Sequence, residues 1–192
     1  MKMKISILLN ILIIVFGLMG VVIAAKYHLL KDFFLYYTNL SNIFAVLASI
    51  IYLLTLNKKT KIGEYLRFLS TICLTLTLLV VIFILTPMLK VNLFVGNYMP
   101  LYHLICPLLS IISLLFFEKN NTKPILALIP TAIYGIITLS LNYFKVIEGP
   151  YPFLKVHNQA ILTSIIWIIV IYSINYLAAL IISKANKKIR TK

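Results

Sequence analysis

The sequence predicts an all-α membrane protein, a single domain of six membrane-spanning helices packed as a bundle, with both termini cytoplasmic. Three observations predict it. Of 192 residues, 62% are hydrophobic and only 11% charged. A soluble domain of this size cannot hide that much apolar surface, so lipid must be the solvent for most of the chain. Six apolar runs follow, near 5–25, 37–56, 68–89, 101–117, 124–144 and 160–183, against the roughly 20 residues that a helix needs to cross a bilayer. Lys and Arg are unevenly placed. Thirteen of the 18 lie on the amino terminus, the loops after runs 2 and 4, and the carboxyl tail. Positive charge stays on the cytoplasmic side, which orients the chain in a cell membrane. All 22 charged residues fall outside the runs, so the +14 balance reads as a topology signal and not as a nucleic-acid footprint. Connections are short, and residues 1–192 leave no room for a second, soluble domain.

Run 1 follows Met1-Lys2-Met3-Lys4 and ends VVIAAK. It resembles a signal peptide, but its apolar stretch is too long for a cleavable one, so a retained helix is expected. Gly17, Gly20 and Ala24 read as its close-packing face. Run 2 enters from outside as YYTNLSNIFAVLASIIYLL, residues 36–54. Thr38, Asn42, Ala45, Ser49 and Tyr52 share one helical face, which should turn inward, with Thr38 or Asn39 capping the helix start. Run 4 enters from outside as LYHLICPLLSIIS, and His103, Cys106, Ser110 and Ser113 share a face. Pro107 lacks an N–H, so the His103 carbonyl loses its usual partner and a bend is expected there. Cys73 and Cys106 lie at depths too different to pair and read as packing residues. Runs 3 and 5 carry Thr71, Thr75, Pro87, Pro130, Tyr134, Thr138 and Asn142, read as kinks and packing. The last outer loop, NYFKVIEGPYPFLKVHNQ, contains a rigid GPYPF turn. Tyr151 and Phe153 suit the membrane interface, and His157 and Asn158 open run 6.

Polar groups thus gather in the outer half, at Thr38, Asn39, Asn42, His103, His157 and Asn158. The inner half offers little beyond scattered threonines and serines. Polar side chains at membrane depth are expensive to keep, which directs attention to the outer side. His28, His103, His157 and Asp32 match no common metal-ligand spacing, so no metal and no cofactor is expected.

FFLYYTNLSNIF in run 2, YHLICPLLS in run 4 and YGIITLSLNYFKVIEGPYPFL across run 5 and its loop resemble the bacterial integral membrane proteins called Pr-six-Pr. They are similar, more distantly, to the eukaryotic androgen-induced-gene family of six-span proteins. The PYPFL block, Pro150 to Leu154, is the most specific piece. The eukaryotic relatives are intramembrane hydrolases of esters between fatty acids and hydroxy fatty acids, with a threonine nucleophile near the start of span 2 and a histidine in span 4. The resemblance places these roles on Thr38 and His103. The family's histidine precedes its proline by one residue more than His103 precedes Pro107.

Threonine needs a base to take its proton, and a histidine within reach supplies one. The amide of Asn39 or Asn42 could stabilise the developing oxyanion, with Tyr151, His157 and Asn158 completing a supporting polar cluster. No carboxylate lies within a run to orient the imidazole, so a carbonyl, Tyr or Asn would have to do it. Two readings stand. One is an outer-leaflet hydrolase of lipid-like esters. The other is a non-catalytic membrane protein, a lipid binder, scaffold or small transporter. Ion-coupled transport is disfavoured because the runs contain no charged residue. The partners are membrane lipids on either reading.

Overall fold

A computed structural model describes residues 2–58 and 60–190, and these are all-helical. Seven helices follow one another: α1 (Lys2–Lys26), α2 (Leu30–Phe33), α3 (Tyr37–Thr55), α4 (Ile62–Leu89), α5 (Leu101–Phe116), α6 (Pro124–Tyr143) and α7 (Ile161–Arg190). In hydrocarbon every backbone N–H and C=O must be satisfied within the protein, and a helix does this by itself. Five of these helices, α1, α3, α4, α6 and α7, are long and apolar enough to cross a membrane. The chain is therefore a multi-pass helical membrane protein. Helix α5 has the composition but is shorter than these five.

Contacts between helices run in opposite directions along the two sequences. Ser6 meets Tyr52 and Gly17 meets Val46, Ser41 meets Thr77, and Thr71 meets Ser110. The helices therefore alternate up and down, and both termini lie at one end, here the terminal end. The opposite, mouth end carries the loops before α3 and α5 and the one before α7. Helix α4 is the axis. Its apolar window is 83% buried, against 28%, 17% and 22% for α1, α6 and α7, which carry exposed Ile, Leu and Val side chains.

The inward faces follow the small and polar stripes of the sequence. Thr38, Asn42, Ala45, Ser49 and Tyr52 are all buried, as are His103, Cys106, Ser110 and Ser113. On α1 the buried face is Ser6, Asn10, Ile13, Gly17, Gly20 and Ala24. Two of its glycines are required by contact. A Cβ on Gly20 would lie 2.1 Å from the Tyr102 ring, and one on Gly17 would lie 2.3 Å from a Val46 methyl. The Tyr102 hydroxyl crosses this gap and donates to the Gly17 carbonyl at 2.7 Å. Cys73 and Cys106 are free and buried.

Two boundaries differ from expectation. Helix α4 begins at Ile62 and not near 68, and α7 runs on to Arg190. The first difference brings Arg67 inside α4, where it is fully buried against Glu118, just past α5, which is 1% exposed. Their closest N···O distance is 3.2 Å. Arg67 Nε reaches both carboxylate oxygens, and Nη1 donates to Ser110 Oγ at 3.1 Å. The same carboxylate accepts Asn10 Nδ2 at 2.9 Å and the Ser113 hydroxyl. Asn186 Nδ2 donates to the carbonyls of Leu114 and Glu118 at 2.6 and 3.0 Å, satisfying carbonyls that the end of α5 leaves free.

This overturns one expectation: the terminal half is not poor in polar chemistry. Arg67 and Glu118 do lie outside the apolar runs, yet both are buried. A buried ion pair is tolerated when further hydrogen bonds satisfy its remaining donors and lone pairs, and α1, α4, α5 and α7 all contribute.

Candidate functional site

The site at the mouth end is built around the start of α3. Tyr36 occupies the cap position, and no side chain of the helix start closes it, contrary to the role expected of Thr38 or Asn39. The free Thr38 N–H instead donates to the Tyr151 hydroxyl at 3.3 Å, and Thr38 Oγ1 lies 3.5 Å from the same oxygen. A tyrosine of the GPYPF turn, 113 residues away in sequence, therefore does the work of a cap. Burial pushes the Tyr151 phenol up to about 12, so at neutral pH it keeps its proton and can donate.

The turn has its own geometric cause. A Cβ on Gly149 would lie 2.5 Å from the Leu154 carbonyl oxygen, so only glycine lets the chain fold back there. The rings of Tyr151 and Phe153 then stack at 5.2 Å, and Phe153 packs on Trp167 of α7 at 5.6 Å.

His103 comes from the first turns of α5, which are wound as a π-helix over Leu101–Ile105. The Cys106 N–H reaches back five residues to the Leu101 carbonyl. Pro107 cannot pair with the His103 carbonyl, and the wider turn stands directly ahead of it. Helix α4 repeats the device over Val81–Leu85, ahead of Pro87. The His103 Nδ1 sits on the Leu93 carbonyl. A carbonyl only accepts, so Nδ1 carries the proton, and in the neutral ring Nε2 is left as the acceptor.

Thr38 and His103, 7% and 6% exposed, line one cavity of about 600 Å³ together with Asn39 and Tyr151. Leu85, Leu89, Leu93 and Met99 make its walls apolar, and His28, Lys31, Asp32 and Lys155 stand around it. Among the described residues no hydrogen bond joins Thr38 to His103.

The other predicted residues separate. Asn42 lies behind the cavity, where its Nδ2 donates to the carbonyls of Thr38 and Tyr102 at 2.8 and 3.2 Å, joining α3 to α5. Asn39 Nδ2 donates to the Phe33 carbonyl at 2.8 Å and to the Tyr98 hydroxyl at 3.3 Å. Both amides are thus already committed, and neither is the free oxyanion donor the sequence suggested. His157 and Asn158 line a different cleft, with Asn142, Lys145 and Glu148. The His157 Nε2 lies 3.1 Å from the carbonyls of Asn142 and Tyr143, so these two residues do not support the Thr38 cavity. Glu148 is exposed and pairs with Lys155 at 3.3 Å.

Sequence reasoning missed the Leu93 carbonyl, for which no side-chain signal exists. It also missed Asn10, which one signal could have found: a lone asparagine amid ILLNILIIV that stands seven residues before Gly17, on the same face. Compared with protein-family models, with curated proteins and with solved structures, the chain matches none.

Proposed function

We propose that this chain is a six-span protein of the Pr-six-Pr type in a bacterial cell membrane, with both termini cytoplasmic, and that its mouth-end cavity hydrolyses lipid-like esters of the outer leaflet. The supporting observation is that Thr38 and His103, from helices far apart in sequence, border the same cavity. Thr38 Oγ1 attacks the ester carbonyl carbon, and its proton passes to His103 Nε2, which the Leu93 carbonyl leaves free to accept it. The Tyr151 hydroxyl, beside Thr38, supplies the donor for the oxyanion. The imidazolium then protonates the departing alcohol, and water releases the acid from the acyl-threonine with His103 again as base.

A lipophilic fluorophosphonate, which traps an activated hydroxyl, tests this reading in membranes of cells expressing the protein. Wild type should label, and Thr38→Ala and His103→Ala should each lose the label while keeping their thermal stability. Full labelling of both variants rules the pair out. A second reading, a lipid binder without turnover, draws on a separate observation: the side-chain hydrogen bonds of Thr38 and His103 go to Tyr151 and Leu93 and not to each other. On that reading neither wild type nor variant labels.

A further inference from the structure

A second pocket, of about 230 Å³, lies between α6 and α7. Its walls include Leu76 and Val80 of α4, Phe153 of the turn, and Trp167, Ile168 and Ile171 of α7. Tyr151 lines both this pocket and the cavity that holds Thr38. We propose that the α6–α7 pocket is the site for the hydrocarbon chain of the molecule whose reacting group lies at Thr38, with the Tyr151–Phe153 stack as the partition between chain and reacting group. The inference rests on the hydrolase reading for the reacting group, and adds to it where the chain goes and which residues measure it.

The chemistry of the walls selects hydrocarbon. Hydroxyl side chains reach this pocket, and all but Tyr172 are already paired among the described residues. Tyr37 Oη and Thr131 Oγ1 bond at 2.8 Å, and Asn175 Nδ2 adds a bond to Thr131 at 2.6 Å. Tyr134 Oη donates to the Leu35 carbonyl at 2.8 Å, Thr77 pairs with Ser41 at 3.0 Å, and Ser164 accepts from Gln159 at 2.9 Å. Apart from one bond to the Tyr172 hydroxyl, a polar guest would displace those bonds or leave its own groups unpaired, whereas an alkyl chain leaves them intact. The surroundings supply such chains, since α6 and α7 are, with α1, the spans whose apolar windows are least buried. Tyr151 fixes the direction: its ring packs on Phe153 on the pocket side while its hydroxyl bonds Thr38 on the cavity side.

Gly135 makes the proposal testable with little disturbance. It lines the pocket, and a Cβ added there would meet only Tyr172 Oη, at 3.6 Å, an ordinary contact. A phenylalanine at this position grows into the pocket and not into backbone. Ile168→Phe, from the facing helix, is the second pocket-filling variant. Two fluorophosphonates, one butyl and one hexadecyl, are compared on wild type and both variants. The variants should label with the butyl probe at the wild-type rate and with the hexadecyl probe about tenfold or more slowly, the cost of losing a few methylene contacts. Equal slowing of both probes, or of neither, overturns the proposal.

Binding is read independently of turnover through Trp167, the sole tryptophan of the chain. A brominated hexadecyl ester should quench it saturably in wild type and more weakly in Gly135→Phe. Identical quenching curves overturn the chain site even if labelling occurs. Absence of labelling with intact, Gly135-sensitive quenching leaves the chain site standing and removes the hydrolase.

Discussion

The Arg67–Glu118 pair offers the sharpest test of how the bundle is held. Glu118→Gln keeps the size of the side chain but leaves the Arg67 guanidinium charged and enclosed. Arg67 is fully buried and has no other carboxylate within reach among the described residues. Its remaining recorded side-chain partners are the hydroxyls of Ser110 and Ser70, at 3.1 and 3.5 Å. Breaking a buried pair from one side costs about 3–5 kcal/mol, because the surviving charge stays desolvated. At about 2–4 °C per kcal/mol for a chain of this length, the melting midpoint should fall by roughly 6–20 °C. The assay is thermal unfolding of the detergent-purified protein, followed by its loss from the monodisperse size-exclusion peak. Arg67→Met combined with Glu118→Met removes both charges, and should stand above Glu118→Gln, since an apolar pair has no stranded ion. The double variant is not fully neutral, because the Asn10 amide and the Ser113 hydroxyl lose their acceptor. A Glu118→Gln midpoint within about 2 °C of wild type, less than the shift of a single kcal/mol, refutes this account of the terminal end. So does a double variant less stable than the single one.

Two further outcomes follow from contacts at the mouth end. Gly20→Val drives a side chain into the Tyr102 ring and should cost about 1–3 kcal/mol as overpacking, whereas Gly135→Ala, whose Cβ makes only an ordinary contact with Tyr172 Oη, should not lower the midpoint. Tyr151→Phe removes the partner of the Thr38 N–H and should cost about 0.5–2 kcal/mol, as loss of a helix cap does. Hydrogen exchange at the first turn of α3 should accelerate with it, while the middle of α3 keeps its protection.

Much of the architecture was legible because a helix in lipid must show its inward face in composition. The stripe Thr38–Asn42–Ala45–Ser49–Tyr52, its partner His103–Cys106–Ser110–Ser113 and the Gly17–Gly20–Ala24 patch were all found from spacing, and each is buried. The pairing of Arg67 with Glu118 was not legible. Each stands one residue outside an apolar run, where a charge normally meets water, and nothing local reveals a partner 51 residues away. At the site, the sequence brought out Thr38, His103, Asn39 and Tyr151, which share a cavity. It could not tell that His157 and Asn158, close to Tyr151 in the chain, turn to the far side of the loop. Nor could it tell that the Asn39 and Asn42 amides are occupied, since each is held by main-chain carbonyls brought up by tertiary packing.

The buried pair also bears on how the chain is made. Arg67 enters the membrane ahead of Glu118 in chain order, so until α5 is seated beside α4 the cation has no counter-charge next to it. Arg67 lies within the first two turns of α4, near enough to the headgroups for its long side chain to remain hydrated while it waits. Only when α5 has inserted and delivered Glu118 can the guanidinium be drawn inward. Closure of this end therefore waits for α5, and is completed only when α7 brings Asn186 to the Glu118 carbonyl.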